Sequence, residues 1–221
     1  MLGAVRQNPS AVLLGLQLGG VLLYPFMESS DEGQALLSLF GILVVWLAIL
    51  AVRQSPGLTW VGITLGVPAT VLLLIQAITG DDALLPYSSA LEAVLYFYAA
   101  GALIAYMLAD HEVTRDELFA IGATFTLVAW GFAYVYVVCQ ALAPGSFTAA
   151  VDPERSRTWM ELLFLSFTNL SSTGLSDVVP IRPFARSLVM LEQFAGVGYI
   201  AIVVSRLIGL LVLYRRDEQW F

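Results

Sequence analysis

Four long windows of this sequence contain no Asp, Glu, Lys or Arg, namely residues 7–27, 33–52, 54–80 and 118–151. A helix needs about 20 apolar residues to cross the hydrocarbon core of a bilayer, so each window is long enough to do so. Only 12% of all residues are charged, whereas roughly 25% is usual in soluble domains. The sequence therefore excludes a soluble domain and predicts an all-α membrane protein.

Six segments have the length and apolarity of transmembrane helices. They cover about 10–27, 34–52, 58–79, 88–109, 118–142 and 184–214. Residues 158–170 are also apolar, but about 13 residues are too few to span a bilayer, so they are predicted to form a re-entrant helix. We divide the chain into a four-helix unit with its connector, residues 1–117, and a C-terminal unit, residues 118–221.

The distribution of arginine predicts the orientation. All ten basic residues are Arg, and cytoplasmic loops carry an excess of basic residues. Both termini are therefore expected to be cytoplasmic, in a multi-pass protein of the plasma membrane. No run of basic residues could follow a phosphate backbone, so the expected partner is the lipid bilayer and not nucleic acid. The cytoplasmic set is Arg6, Arg53, Arg115, Arg206, Arg215 and Arg216, while Arg155, Arg157, Arg182 and Arg186 flank the re-entrant segment on the outside.

A polar turn, Ser171 to Asp177, follows the short helix. Irregular backbone at membrane depth is tolerated only where protein buries it or water wets it. A cation filter needs rings of oxygen atoms that replace the hydration shell of the ion. The predicted ion-binding residues are Ser171, Ser172, Thr173, Gly174, Leu175 and Ser176. Potassium or sodium is expected at Ser172, Thr173 and Gly174, and no other cofactor is expected.

The short helix itself has two predicted roles. Thr158 and Glu161 have the Thr-x-x-Glu spacing of a capping box, which would fix where the helix begins. This structural role of Glu161 is favoured over a direct ion site. The other end of the helix, near Leu170, carries the negative end of the helix dipole and would face a cation at the centre of a pore.

The stretch Phe167 to Pro180 resembles the pore loop of potassium channels, whose usual form is Thr-x-x-Thr-Thr-Val-Gly-Tyr-Gly-Asp followed two residues later by Pro. Thr168 occupies the first position of that pattern, and Asp177 and Pro180 occupy the last two. The resemblance to bacterial six-transmembrane potassium-channel-like proteins extends over about 110–214. It implies a homotetramer with an outer helix at 118–142, a pore helix at 158–170, a filter at 171–177 and an inner helix at 184–214. It also places the gating hinge at Gly196.

Two departures from the family pattern concern ion selectivity. Leu175 stands where the family has Tyr, which removes the aromatic brace behind the filter. Ser176 stands where the family has its second Gly, so a side chain is placed where a left-handed dihedral is usual. A monovalent cation channel with weak selectivity between potassium and sodium is therefore expected.

The four leading helices resemble a voltage-sensing domain in number only. Voltage sensing needs several cationic side chains along the fourth helix, and residues 88–109 contain no Arg or Lys. One elementary charge moved across the membrane is worth roughly 2.3 kcal/mol per 100 mV, so this helix lacks the charge to respond steeply. The channel is therefore not expected to be steeply voltage-gated.

Three further charged residues have open alternatives. Asp177 could form an acidic ring at the outer mouth or a hydrogen bond to Trp159 or the pore helix. Glu192, an intramembrane charge, is a functional candidate by default, although a neutral or hydrogen-bonded carboxyl group behind the filter is favoured. Arg206 is expected to snorkel or to pair with an acidic residue of the connector, namely Asp110, Glu112 or Asp116.

Other classes of membrane protein fit poorly. The single histidine, His111, lies in a charged connector and the single cysteine is Cys139, which is too few ligands for a metal cluster and leaves no intramembrane Ser–His pair. The chain is therefore not expected to be an enzyme. A secondary transporter would show two matching broken helices, whereas this sequence has one broken segment. The remaining alternative is a non-conducting channel homologue or a regulatory subunit with the same fold.

Overall fold

The computed structural model describes residues 9–27, 31–52, 59–80, 82–109 and 114–218. In these ranges the chain forms seven α-helices and one small sheet. The helices are α1 (Pro9–Met27), α2 (Asp31–Val52), α3 (Thr59–Thr79), α4 (Leu85–Met107), α5 (Arg115–Leu142), α6 (Trp159–Leu170) and α7 (Pro183–Glu218). The strands are β1 (Phe147–Ala149) and β2 (Val178–Pro180).

Five of the helices, α1, α3, α4, α5 and α7, are long and apolar enough to cross a membrane by length and composition. Helix α2 contributes a shorter apolar stretch over Phe40–Leu50 within the described residues. Helix α6 has 12 residues, which is too short to span. The expected multi-pass all-α architecture is confirmed, while the sixth span stays a prediction.

Local capping signals explain where the helix boundaries differ from the predicted ones. Helix α4 begins at Leu85 and not at 88, because Pro86 occupies its first turn, where a missing N–H has no cost. Helix α5 begins at Arg115 and not at 118, because Thr114 and Glu117 form a capping box. Helix α7 runs to Glu218, beyond the predicted end at 214.

The small antiparallel sheet is absent from the sequence-based prediction. Phe147 pairs with Pro180, Thr148 with Val179 and Ala149 with Val178. Strands of three residues are too short to show an alternating pattern. The sheet joins the segment after α5 to the segment after the polar turn.

Two clusters of buried side chains hold the helices together. The first draws on α1, α2, α4, α5 and α6, with Leu13, Ile49, Tyr96, Trp130 and Leu163 among its members. The second joins α5, α6 and α7 to the sheet, and Cys139 lies in it as a small buried apolar residue. Between spans, such packing stabilises through close contact because lipid is as apolar as the side chains.

Part of the predicted connector lies outside the described residues. It comprises residues 110–113, which include Asp110, His111 and Glu112.

Candidate functional site

The start of α6 is fixed by Thr158 and Glu161. The Glu161 backbone N–H donates to Thr158 Oγ1 at 3.3 Å, and the Thr158 N–H donates to Glu161 Oε2 at 2.6 Å. These two bonds satisfy N–H groups that have no partner inside the helix. Thr158 is therefore the N-cap, and the helix proper begins at Trp159.

Glu161 also forms ion pairs with two arginines. Its Oε1 lies 2.8 Å from Arg155 and 3.6 Å from Arg157. Burial alone would raise the pKa of the Glu161 carboxyl, but the hydrogen bonds from Thr158 and Arg155 and the charges of both arginines outweigh it, so the pKa lies below its usual value. Glu161 is thus held by the start of α6 and the loop before it, away from the polar turn at the other end.

The loop before α6 is organised around Arg157, whose side chain is fully buried. Its guanidinium donates to the backbone carbonyls of Val151, Asp152 and Arg155. Gln140, near the end of α5, accepts from the Arg157 N–H at 2.7 Å and donates to its carbonyl at 3.0 Å. These bonds attach the loop to α5 and set the position of α6.

The turn from Ser171 to Gly174 folds back onto the end of α6. The N–H groups of Ser171 and Ser172 donate to the carbonyls of Phe167 and Asn169, each at 3.0 Å. The N–H groups of Thr173 and Gly174 both donate to the Thr168 carbonyl, at 2.9 and 3.0 Å. These four N–H groups of the turn are therefore all hydrogen-bonded to the end of α6. Within the described chain, no donor bonds to a carbonyl of residues 171–177.

The left-handed backbone positions lie earlier than the family pattern predicts. Ser172 has φ 60° and Gly174 has φ 66°, and Ser176 is not among the residues with positive φ. The expectation that Ser176 occupies a left-handed position is therefore wrong. Its hydroxyl accepts a hydrogen bond from the Val178 N–H at 3.1 Å, which needs no such backbone.

The predicted ion-binding side chains have different environments. Ser171 donates to the Phe167 carbonyl at 2.6 Å, and the Thr173 hydroxyl donates to the Thr168 carbonyl at 3.3 Å. Ser172 and Gly174 line a cavity of about 270 Å³ together with Thr168, Asn169 and Gln193. Leu175 projects outward and is 79% exposed.

Helix α7 packs against the end of α6 at Gly196. A Cβ atom at this position would lie 2.1 Å from the Leu170 carbonyl oxygen. Only glycine permits this approach of one backbone to another. Helix α7 continues without a break through this point.

Behind the turn, Glu192 is buried and joins three helices. Its carboxyl group is hydrogen-bonded by the hydroxyls of Tyr136 on α5 and Ser166 on α6. The Ser166 hydroxyl also lies 2.7 Å from the Ala129 carbonyl. The structure therefore places Glu192 in a hydrogen-bonded position. No pattern in the sequence indicates Tyr136 or Ser166, because a single Tyr or Ser in an apolar helix carries no spacing signal.

Asp177, the last residue of the polar turn, is exposed. The Trp159 indole nitrogen has no hydrogen-bond partner among the described residues, so the bond from Asp177 to Trp159 is not formed. Trp159 instead packs its ring against Trp130 at 5.1 Å and Tyr24 at 5.5 Å.

Arg206 pairs with Glu117 of α5, at 3.1 Å. Of the three acidic residues expected as alternative partners, Asp110 and Glu112 lie outside the described residues. Asp116 instead accepts from the Ser10 N–H at 3.1 Å and from the Ser10 hydroxyl at 2.8 Å. The first turn of α5 thus binds α7 through one carboxylate and the start of α1 through the next.

A long helix, a short helix, a polar turn and a second long helix follow one another in the part of the chain that matches a known family. Residues 122–212 match a family model described as "Ion channel". Over these residues the chain is therefore similar to the pore domain of ion channels, a class of protein that is not an enzyme.

Among curated proteins, the chain is similar to Protein LctB of Bacillus caldotenax. The two are 28% identical over 101 residues, which is 44% of this chain and 75% of that protein. No solved structure shows a significant match.

Proposed function

We propose that this chain is the subunit of a homotetrameric channel that conducts monovalent cations across the plasma membrane, with both termini in the cytoplasm. Residues 118–221 would form the pore. Residues 1–117 would form a voltage-sensor-like domain without gating arginines. Permeant potassium and sodium ions would be held at Ser172, Thr173 and Gly174.

The observation that carries this proposal is the exposed polar turn that lies between two helices long enough to cross a membrane. Ser172, Thr173 and Gly174 are exposed on the single chain, although hydrogen bonds hold the turn against the end of α6. Lipid cannot satisfy such backbone, so the exposed side must face water enclosed by other protein. One re-entrant helix per chain supplies one part of such an enclosure, and copies of the chain supply the rest.

The chemistry of the turn suits a cation. The N–H groups of Ser171 to Gly174 are bonded to α6, so in this part of the turn the groups left to face a pore are carbonyl and hydroxyl oxygens. Such oxygens replace the hydration shell of potassium or sodium. The exposed carboxylate of Asp177 would add negative charge at the outer mouth and raise the local concentration of cations.

Weak selectivity is expected from the same turn. Leu175 has no hydroxyl with which to brace the filter from behind, and Ser172 adopts the left-handed backbone that glycine usually supplies. A filter with fewer fixed carbonyl positions holds fewer well-defined ion sites. Gly196, whose close contact supports the end of α6, would be the point at which α7 movement reaches the filter.

Helix α4 carries no Arg or Lys between Leu85 and Met107. A voltage step therefore moves little charge in this helix, and the open probability is expected to change only weakly with voltage.

The test is ion flux in liposomes that contain the purified protein. Potassium and sodium gradients should each drive cation entry, while a large organic cation and chloride should not pass. Native mass spectrometry of the same sample should give four copies of the chain. Intact tetramers without any cation flux would refute conduction and favour the non-conducting homologue.

A further inference from the structure

A second cavity lies away from the polar turn, among the leading helices, α5 and the start of α6. It has a volume of about 340 Å³, within the range of roughly 300–1,000 Å³ common for small-molecule sites. Gln140 and Arg157 place it at the same end of the protein as the β1–β2 sheet. The residues used below are Tyr24, Ser89, Glu92, Trp130, Tyr134 and Trp159, all of which line it.

Glu92 is the acidic residue among those that line this cavity, and it is only 1% exposed. One of its oxygens accepts from the Tyr134 hydroxyl, whereas Oε1 has no hydrogen-bond partner among the described residues. No basic side chain in the described chain forms an ion pair with it. A buried carboxyl group left in this state is costly unless a ligand supplies a donor and a counter-charge.

Three neighbouring polar atoms are unpaired in the same way. They are Ser89 Oγ, Trp130 Nε1 and Trp159 Nε1, each buried and without a partner among the described residues. Buried polar atoms in native proteins nearly always have a partner, so several in one cavity indicate a missing occupant that offers both donors and acceptors.

Aromatic rings form the remaining wall. The ring centroid of Trp159 lies 5.1 Å from that of Trp130, 5.5 Å from Tyr24 and 5.7 Å from Tyr134. Ring faces attract organic cations, most strongly when the cation is out of water. Aromatic faces beside a carboxylate are the chemistry by which proteins bind ammonium groups.

Arg157 also lines this cavity, but its guanidinium is bonded to three loop carbonyls and lies 3.6 Å from Glu161. Its charge is thus balanced within the loop. An anionic ligand would have to lie beside Glu92, so the charges favour a cation.

We propose that this cavity is a binding site for an organic ammonium group, either on a small soluble amine or on a lipid headgroup. The ammonium group lies against Glu92 Oε1 and the Trp159 and Trp130 rings, while an attached oxygen accepts from the indole N–H groups. The site adjoins the N-cap of α6, and the other end of α6 forms the polar turn. An effect of the ligand on conduction rests on the proposed function, whereas its binding does not.

The first experiment measures binding directly. Purified full-length protein in phosphatidylglycerol nanodiscs is titrated with choline by calorimetry and by tryptophan fluorescence. The control ligand is 3,3-dimethylbutan-1-ol, which has the shape of choline without its charge. Choline is expected to bind saturably and at least about tenfold more tightly than the alcohol, because only the cation gains the ring and carboxylate contacts.

Variants then locate the site. Glu92→Gln keeps the shape of the side chain and should weaken choline binding at least about tenfold. Glu154→Gln is the matched control, because Glu154 is exposed on the loop outside the cavity, and it should leave binding unchanged. Trp159→Phe keeps a ring but removes the N–H, and should weaken binding while the protein still elutes as the wild type does.

A further pair of membranes identifies the source of the ligand. Phosphatidylcholine nanodiscs should weaken the apparent affinity for added choline if lipid headgroups occupy the cavity, and should leave it unchanged if the ligand is soluble. Equal binding of choline and the alcohol would overturn the proposal. Choline binding by folded Glu92→Gln protein that equals binding by the wild type would also overturn it. The absence of saturable choline binding in phosphatidylglycerol nanodiscs would overturn it as well, and would mean that water fills the cavity. Because no step measures flux, a non-conducting protein would not affect the outcome.

Discussion

Replacing Gly196 by Ala should disturb the contact between α7 and the end of α6, which supports the polar turn. The added methyl group would lie 2.1 Å from the Leu170 carbonyl oxygen and within 2.9 Å of two further backbone atoms of that residue. Real contacts of this kind are not found below 3.0 Å, so α7 and the end of α6 must separate by about 0.9 Å. All three atoms belong to the backbone, so no flexible side chain can move to relieve the clash.

The expected cost is about 1–3 kcal/mol per subunit, as for overpacking in other cores. The displacement would also move the Thr168 and Asn169 carbonyls that hold the polar turn, so cation flux should fall together with stability. Thermal unfolding in detergent, followed by tryptophan fluorescence, measures the first effect, and liposome flux measures the second.

Gly198→Ala is the matched control. It lies on the same helix, and a Cβ atom there would meet nothing within 4 Å. Alanine is the better helix former by about 1 kcal/mol, so this variant should be neutral or slightly more stable. If Gly196→Ala unfolded like Gly198→Ala and altered only channel opening, the close contact would be unimportant and a pure hinge role would be favoured.

Three other changes test different parts of the molecule. The double change Leu175→Tyr with Ser176→Gly should raise the ratio of potassium to sodium flux, and an unchanged ratio would contradict the alignment of the filter. The pKa of Glu161 lies below its usual 4.5, so the stabilisation it provides is present above about pH 4.5 and is lost as the pH falls through the lowered value. Glu161→Gln should therefore flatten the fall in melting temperature below that pH, and a variant as acid-sensitive as the wild type would rule this out. Arg206→Gln removes the positive charge that faces Glu117 and should cost about 3 kcal/mol, the low end for breaking a buried pair. Adding Glu117→Gln should recover part of that loss, and strictly additive losses in the double-mutant cycle would show that the two residues do not interact.

The order of the long helices along the chain could be predicted because the length of each apolar stretch can be read from the sequence. The predicted α6 differs from the observed helix by only its N-cap, since Thr158 and Glu161 carry a local signal with a known geometry. The stretch from Phe167 to Pro180 resembles a pore loop, and this local pattern likewise predicted the position of the polar turn.

What could not be predicted depends on contacts between distant residues. The partner of Arg206 depends on which face of α5 meets α7, and a helix of mostly apolar residues gives little indication of its rotation. The bonds from Tyr136 and Ser166 to Glu192 require three helices to be in place. The left-handed backbone of Ser172 accompanies the double use of the Thr168 carbonyl, which no residue pattern shows.

The first turn of α5 has a mechanical consequence. Asp116 binds the first turn of α1, and Glu117 binds α7 near Arg206, through side chains on adjacent residues. These two attachments share one rigid turn of helix, so neither can shift alone without breaking a bond or rotating α5. A pull on the first turn of α1 at Ser10 is therefore transmitted to α7 at Arg206 through about one turn of helix. Tension applied at Ser10 would therefore act on α7 through the side chains of Asp116 and Glu117.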